Sequence, residues 1–154
     1  MRVVIAVVGK PRHAGLAAAI EDYERRAARY WPLDVYEVRE EPARSRSADI
    51  VRNRESERLL DAIPQTALVV VCEVNGRQMT SERFSAWLQA ERERARDVAF
   101  LIGGATGLGE SARARASDTL ALAPWTLPHE LARLVLAEQL YRAGTIVRGE
   151  PYHK

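Results

Sequence analysis

The stretch Leu101-Ile102-Gly103-Gly104-Ala105-Thr106-Gly107-Leu108-Gly109 runs an apolar strand-like segment, Val98–Ile102, straight into four glycines within seven residues. Glycine tolerates positive φ and lets backbone approach a ligand or another segment closely. In a parallel α/β sheet, ligands bind beyond the carboxyl ends of the strands, so a glycine loop at such an end is placed for a cofactor. Taken alone, the same cluster reads equally well as a sharp structural turn. The glycines follow the fourth strand-like run rather than the first and do not form G-x-G-x-x-G ahead of a helix, which speaks against dinucleotide binding. No Gly-Lys-Ser/Thr is present, which excludes a Walker loop.

Outward from this loop, short runs rich in Val, Ile or Leu recur at Val3–Val8, Leu33–Val38, Ala67–Cys72, Val98–Ile102 and Thr119–Leu122. Several are apolar on both faces, as strands of a buried parallel sheet are. Between them lie helical segments at His13–Tyr30, Asp49–Ala62, Ser81–Arg94, Ser111–Ala116 and, longest, His129–Val147. The β-α alternation predicts one α/β domain over residues 1–154, a parallel sheet flanked by helices on both faces. In the first helix Leu16, Ile20, Tyr23 and Ala27 have the spacing of a core-facing stripe, which leaves Glu21, Asp22, Glu24, Arg25 and Arg26 as solvent-facing charges. Glu40–Ser47, with Pro42, Arg44, Ser45 and Arg46, has loop composition, and its arginines are read either as solvated or as phosphate contacts.

With 154 residues, 47% apolar and 29% charged, the chain can bury a core without disulfides or a structural metal. No apolar run approaches the roughly 20 residues that span a bilayer, and Met1–Lys10 lacks the long apolar core and cleavage site of a signal peptide. The lone Cys72 excludes an intramolecular disulfide and fits a reducing cytoplasm. Formal net charge is only +2, and Lys10 and Lys154 are the sole lysines among the cations. A protein that held naked RNA unaided would carry a strongly basic face, so an RNA substrate would need further help in positioning.

Two other segments are candidates for chemistry. Leu122-Ala123-Pro124-Trp125-Thr126-Leu127-Pro128-His129 is an apolar loop entering the last helix, with Pro128 suited to a helix start because its missing donor costs nothing there. A loop this apolar is expected to be buried, against the protein or against an apolar ligand. The tail, Arg148-Gly149-Glu150-Pro151-Tyr152-His153-Lys154, is dense in groups that stack on bases, move protons and hold phosphate, although chain ends are commonly frayed. His13, His129 and His153 are too scattered for a metal site, and Arg133 stands where a zinc-peptidase H-E-x-x-H would need its second His.

These segments together resemble the ribosomal RNA large-subunit methyltransferase H family, a group of knotted SPOUT methyltransferases. The resemblance runs over the whole chain. It includes Val7-Val8-Gly9-Lys10, Glu21-Asp22-Tyr23-Glu24-Arg25-Arg26, Val74-Asn75-Gly76-Arg77 and Leu101-Ile102-Gly103-Gly104. It continues through Gly107-Leu108, Thr126-Leu127-Pro128-His129, Leu131-Ala132-Arg133, Ala137-Glu138-Gln139-Leu140-Tyr141-Arg142-Ala143 and Pro151-Tyr152-His153.

The resemblance implies a parallel sheet whose C-terminal segment forms a deep trefoil knot, S-adenosylmethionine as cofactor, a homodimer, and no metal. It implies methylation of N3 of pseudouridine 1915 in 23S ribosomal RNA, on the assembled ribosome. Carried over position by position, cofactor contacts fall at Cys72, Gly103, Leu122, Ala123, Pro124, Trp125, Thr126 and Leu127. Cys72 stands where relatives typically carry Leu, Glu73 where many carry Asp, and Pro124 and Trp125 are particular to this chain. Arg142 is assigned to charge stabilisation, Tyr152 and His153 to shaping or deprotonating the base, and His129 is held in reserve. A β-branched residue at Gly103 is expected to remove cofactor affinity with little loss of fold. The rivals are a noncatalytic ribosome-associated factor with the same fold, which micromolar cofactor binding would exclude, and a SPOUT enzyme of transfer RNA, which more often carries an added RNA-binding domain.

Overall fold

The computed structural model describes every residue except Ala43 and Ser45, so part of the loop expected at Glu40–Ser47 lies outside the described residues. In β1 (Val3–Val8) every residue is buried, and the same holds for β4 (Val98–Ile102). Strands without a polar face must be covered on both sides, and these two take the centre of a five-stranded, all-parallel sheet in the order β2-β1-β4-β3-β5. β2 (Leu33–Val38) mixes Asp34 and Glu37 with apolar residues, is half exposed, and forms one edge. Three helices, α1 (Ala14–Ala27), α3 (Ser81–Glu93) and α5 (His129–Val147), cover one face through Ala27, Phe84, Leu88, Leu136 and Leu140. α2 (Ala48–Ala62) and α4 (Glu110–Arg115) cover the other through Leu59 and Ala112.

β3 runs from Leu68 to Arg77, well beyond the Ala67–Cys72 expected, while β5 is only Asp118–Leu120. The two pair from Val70 to Cys72, the register then slips, and Leu120 pairs again with Arg77. Gly76 permits this: a Cβ there would stand 2.5 Å from the Leu120 carbonyl carbon and 2.7 Å from the Ala121 nitrogen. The backbone of the β5 exit therefore lies directly on β3, with Ala121 N–H donating to the Arg77 carbonyl at 3.0 Å. From that edge the chain returns, and α5 packs against α1, α3 and β4.

Buried polar groups fix α5 in place. Trp31 Nε1 donates to the Leu140 carbonyl at 2.8 Å and Ser85 Oγ to that of Ala143 at 2.9 Å. Arg133, 7% exposed, donates to Glu24 at 2.7 Å and to Glu37 at 2.8 Å. Glu24, expected to face solvent, is thus turned inward, because α5 sets a buried cation beside α1. Burial works against the Arg133 charge, but the two carboxylates more than offset it and hold its pKa above the usual value. Arg133→Ala removes hydrogen bonds to two carboxylates that remain partly open to water, and should cost about 2 kcal/mol. A urea unfolding curve checks this; a midpoint equal to that of the parent would show that the cluster holds nothing.

Candidate active site

All five strands end at one edge of the sheet, and there a cleft of about 730 Å³ opens between the ends of β3 and β4 and the loop entering α5. Its walls include Cys72, Gly103, Gly107, Thr126, Leu127 and His129. A volume of this order suits a ligand of drug or cofactor size. Two glycines shape it differently. A Cβ on Gly103 would strike the Gly107 carbonyl carbon at 2.6 Å, whereas Gly107 (φ +82°) has open space where its side chain would be. Gly103 is therefore required by the loop's own folding, through the tight turn that also pairs Gly104 with Gly107. The expectation that Gly103→Val would spare the fold is corrected on that ground.

Of the cofactor positions expected, Cys72, Gly103, Thr126 and Leu127 line this cleft. Leu122, Ala123 and Trp125 line an adjoining crevice of about 50 Å³ that shares Cys72 and Leu127 with it, and Pro124 is exposed. Of the two expectations for this loop, burial against the protein does not hold at Trp125, which is 78% exposed. Burial, and to a lesser degree Glu73, pushes the Cys72 thiol up to about 12, so it meets a ligand as a neutral, apolar group. The sequence reading missed Arg113, which reaches across from α4 to hold Glu73 at 2.8 Å on the cleft wall. No local pattern marks that pair; it exists only because α4 lies over the end of β3.

The candidate catalytic residues form two groups. His129 is on the cleft wall at the start of α5. Arg142, Tyr152 and His153 meet far along the same helix, around Glu138. Arg142 donates to Glu138 Oε1 at 2.6 Å, Tyr152 Oη donates to the same oxygen at 3.1 Å, and the Arg142 guanidinium lies 4.8 Å from the Tyr152 ring centroid. Arg142 also contacts His153 Nδ1 at 3.1 Å, while His153 Nε2 lies 2.8 Å from Glu82. A guanidinium can only donate, so Nδ1 is the acceptor and Nε2 carries the proton toward Glu82. The tail is therefore latched rather than frayed. Its hydrogen bond with His153 holds the Glu82 carboxyl below the usual range, and that with Glu138 raises the Arg142 pKa. Burial, then hydrogen bonds with Tyr23 and Glu138, raises the pKa of Tyr152, which remains a phenol. Glu138 was missed as the organiser, although its i,i+4 spacing to Arg142 was visible.

A family described as predicted SPOUT methyltransferase matches residues 1–153. Ribosomal RNA large subunit methyltransferase H of Gemmatimonas aurantiaca is 66% identical over 154 residues, covering all of both chains. The protein of that name from Geobacter metallireducens is 42% identical, over 99% of each chain. Among solved structures, a probable methylase family protein from Haemophilus influenzae Rd KW20 aligns with TM-score 0.54 at 13% identity, over 99% of this chain and 70% of that one. A probable methyltransferase from Bordetella pertussis Tohama I gives 0.54 at 15% identity, over 92% and 95%. The structural likenesses carry the fold, and fold and sequence together define a SPOUT methyltransferase. The chain belongs to the ribosomal RNA large subunit methyltransferase H family.

The methyl donor of this class is S-adenosylmethionine, and the cleft fits it in size and chemistry. Leu127, Ile102 and Cys72 offer an apolar wall, and Gly107 leaves room that any side chain would fill. Gly107→Ala should lower cofactor affinity at least tenfold and, through its positive φ, cost about 1 kcal/mol of stability. Gly103→Ala should lose far more stability, because its Cβ meets backbone. Calorimetric titration and thermal melting of both variants separate the two roles; equal melting temperatures would contradict this division.

Proposed function

We propose that this chain methylates N3 of pseudouridine 1915 in 23S ribosomal RNA on the assembled ribosome, in the cytoplasm and as a homodimer. The name of the relatives that align over the whole chain, ribosomal RNA large subunit methyltransferase H, supports the ribosomal substrate. No helix of the described residues is long and apolar enough to cross a membrane, and they hold no cluster of metal-binding side chains.

The observation that carries the dimeric reading is the separation of the two catalytic groups. His129 and Arg142 are 13 residues apart on one continuous helix, which is about 20 Å of rise. A base seated beside His129 is out of reach of the tail on the same protomer. A second copy, set so that its tail faces this cleft, closes the gap and adds Arg142 to a cleft whose own Arg113 is already paired with Glu73.

The donor supplies an electrophilic methyl group, and in-line transfer to N3 is chiefly a matter of alignment. N3 begins with a proton that must leave. Arg142 offers fixed positive charge to the negative charge that spreads onto the flanking carbonyl oxygens, and the Tyr152 phenol can donate to one of them. Both His153 nitrogens are engaged in the latch, so His153 accepts a proton at Nδ1 only once Arg142 turns to the substrate. His129, on the cleft wall, is the other candidate base.

Deleting Pro151–Lys154 should reduce single-turnover methyl transfer to unmodified ribosomes by roughly 100- to 10,000-fold, the range for a lost acid-base group. Cofactor affinity should be unchanged. Mixing the truncated chain with Gly107→Ala, at a cofactor concentration too low to load the glycine variant, should restore transfer, because a mixed dimer holds one intact cleft facing one intact tail. Normal rates from the truncated enzyme, or no rescue on mixing, would remove the tail from the site.

A further inference from the structure

A second cleft, of about 490 Å³, opens at the same edge of the sheet where β1 and β2 end, and its lining includes Lys10, Arg12 and Arg39 with Glu37 and Glu40. The two carboxylates are already engaged. Glu37 is held by buried Arg133 at 2.8 Å, and Glu40 pairs with Arg12 at 2.8 Å. That second pair is open to water, with side chains 78% and 39% exposed, and so exchanges readily for another anion. Lys10 and Arg39 have no carboxylate partner among the described residues, and both are exposed.

The surroundings add positive potential. Behind Arg39, the single carboxylate of Glu41 is shared by Arg46, Arg54 and Arg58. Arg58 also donates to the Arg39 carbonyl at 3.0 Å, which fixes the rim of the cleft. Arg46, one of the two loop arginines whose composition suggested phosphate, is thus turned to Glu41 and acts only through the field.

The cleft is coupled to the cofactor cleft by a short, rigid link. Glu130 Oε1 accepts from the backbone N–H of Arg12 and, at 3.3 Å, from that of His13, and these bonds hold the carboxyl below its usual range. The preceding residue, His129, is on the wall of the cofactor cleft. A nucleotide strand that delivers a base to His129 therefore lays its backbone beside Lys10 and Arg12. The lining contains no aromatic ring on which a base could stack, and its donors are suited to charged oxygens.

We propose that this cleft seats backbone phosphates of the RNA strand flanking the target nucleotide, on Lys10, Arg12 and Arg39. The inference rests on the ribosomal RNA reading above and adds to it a phosphate-binding surface on the N-terminal half of the chain.

The test uses Lys10→Ala, Arg39→Ala and the double variant, with Arg29→Ala, an exposed cation on the turn after α1, as control. KM for unmodified ribosomes and direct binding of a large-subunit RNA hairpin are measured across a potassium chloride series. Each cleft variant should flatten the slope of log affinity against log salt by about 0.7, and the double variant by about twice that. KM should rise several-fold while cofactor affinity and the saturated rate stay as in the parent, and Arg29→Ala should leave the slope unchanged. Parental slopes and KM in the double variant would overturn the proposal. An equal change from Arg29→Ala would also overturn it, by reducing the effect to net charge. If the parent enzyme itself transfers no methyl to ribosomes, the substrate reading fails separately, and the hairpin slopes still decide the cleft.

Discussion

The guanidinium of Arg133, buried between Glu24 and Glu37, joins the last helix to the first helix and the edge strand of the sheet. Arg133 itself is buried while Glu37 stays open to water on its outer side, so the cation depends on its two carboxylates more than they depend on it. Everything at the working edge of the molecule depends on where α5 begins. With Arg133 fixed, Glu130 reaches the amides of Arg12 and His13, and His129 and Leu127 fall against the glycine loop. The same contact engages the charge of Glu37 on the wall of the cleft at β1 and β2 and so leaves that cleft cationic. One buried charge cluster thus sets the electrostatics of two neighbouring sites.

The tail depends on a second polar cluster of a different kind. Glu138 gathers Arg142 and Tyr152 on the surface of α5, and Glu82 at the start of α3 receives His153. These contacts are partly exposed, so water and salt weaken them, and the latch can open to exchange its partners for a substrate. A rigid helix start and an exchangeable tail are the two mechanical properties that the proposed chemistry needs.

The strands that the sequence revealed without help were those with no polar face, Val3–Val8 and Val98–Ile102, because full burial leaves an unbroken apolar run. The extension of β3 to Arg77 was hidden, since Asn75 and Gly76 are weak strand formers; what makes them a strand is the backbone of Leu120 and Ala121 lying on Gly76, more than 40 residues later. Glu24 was misread for the same reason, its partner being far along the chain. Trp125 was expected to be buried because the loop around it is apolar, yet nothing in one protomer covers it. The glycine loop was legible as a site, but the separate parts its glycines play were not: Gly103 and Gly107 both line the cleft, and only φ and the distance to a neighbouring backbone tell them apart, neither of which is written in residue type. Of the catalytic candidates, composition pointed to the tail, while its order came from Glu82 and Glu138.

Cys72 has a chemical consequence of its own. It is a soft nucleophile on the wall of a cleft proposed to receive an alkylating sulfonium, the pairing most apt to end in irreversible self-modification. Only the thiolate attacks at an appreciable rate. With burial pushing its pKa up to about 12, the group stays a thiol at neutral pH. The apolar surroundings that make this wall hospitable to a ligand therefore also protect the protein from its own reagent, and they make the one cysteine of the chain a poor handle for maleimide or iodoacetamide labelling.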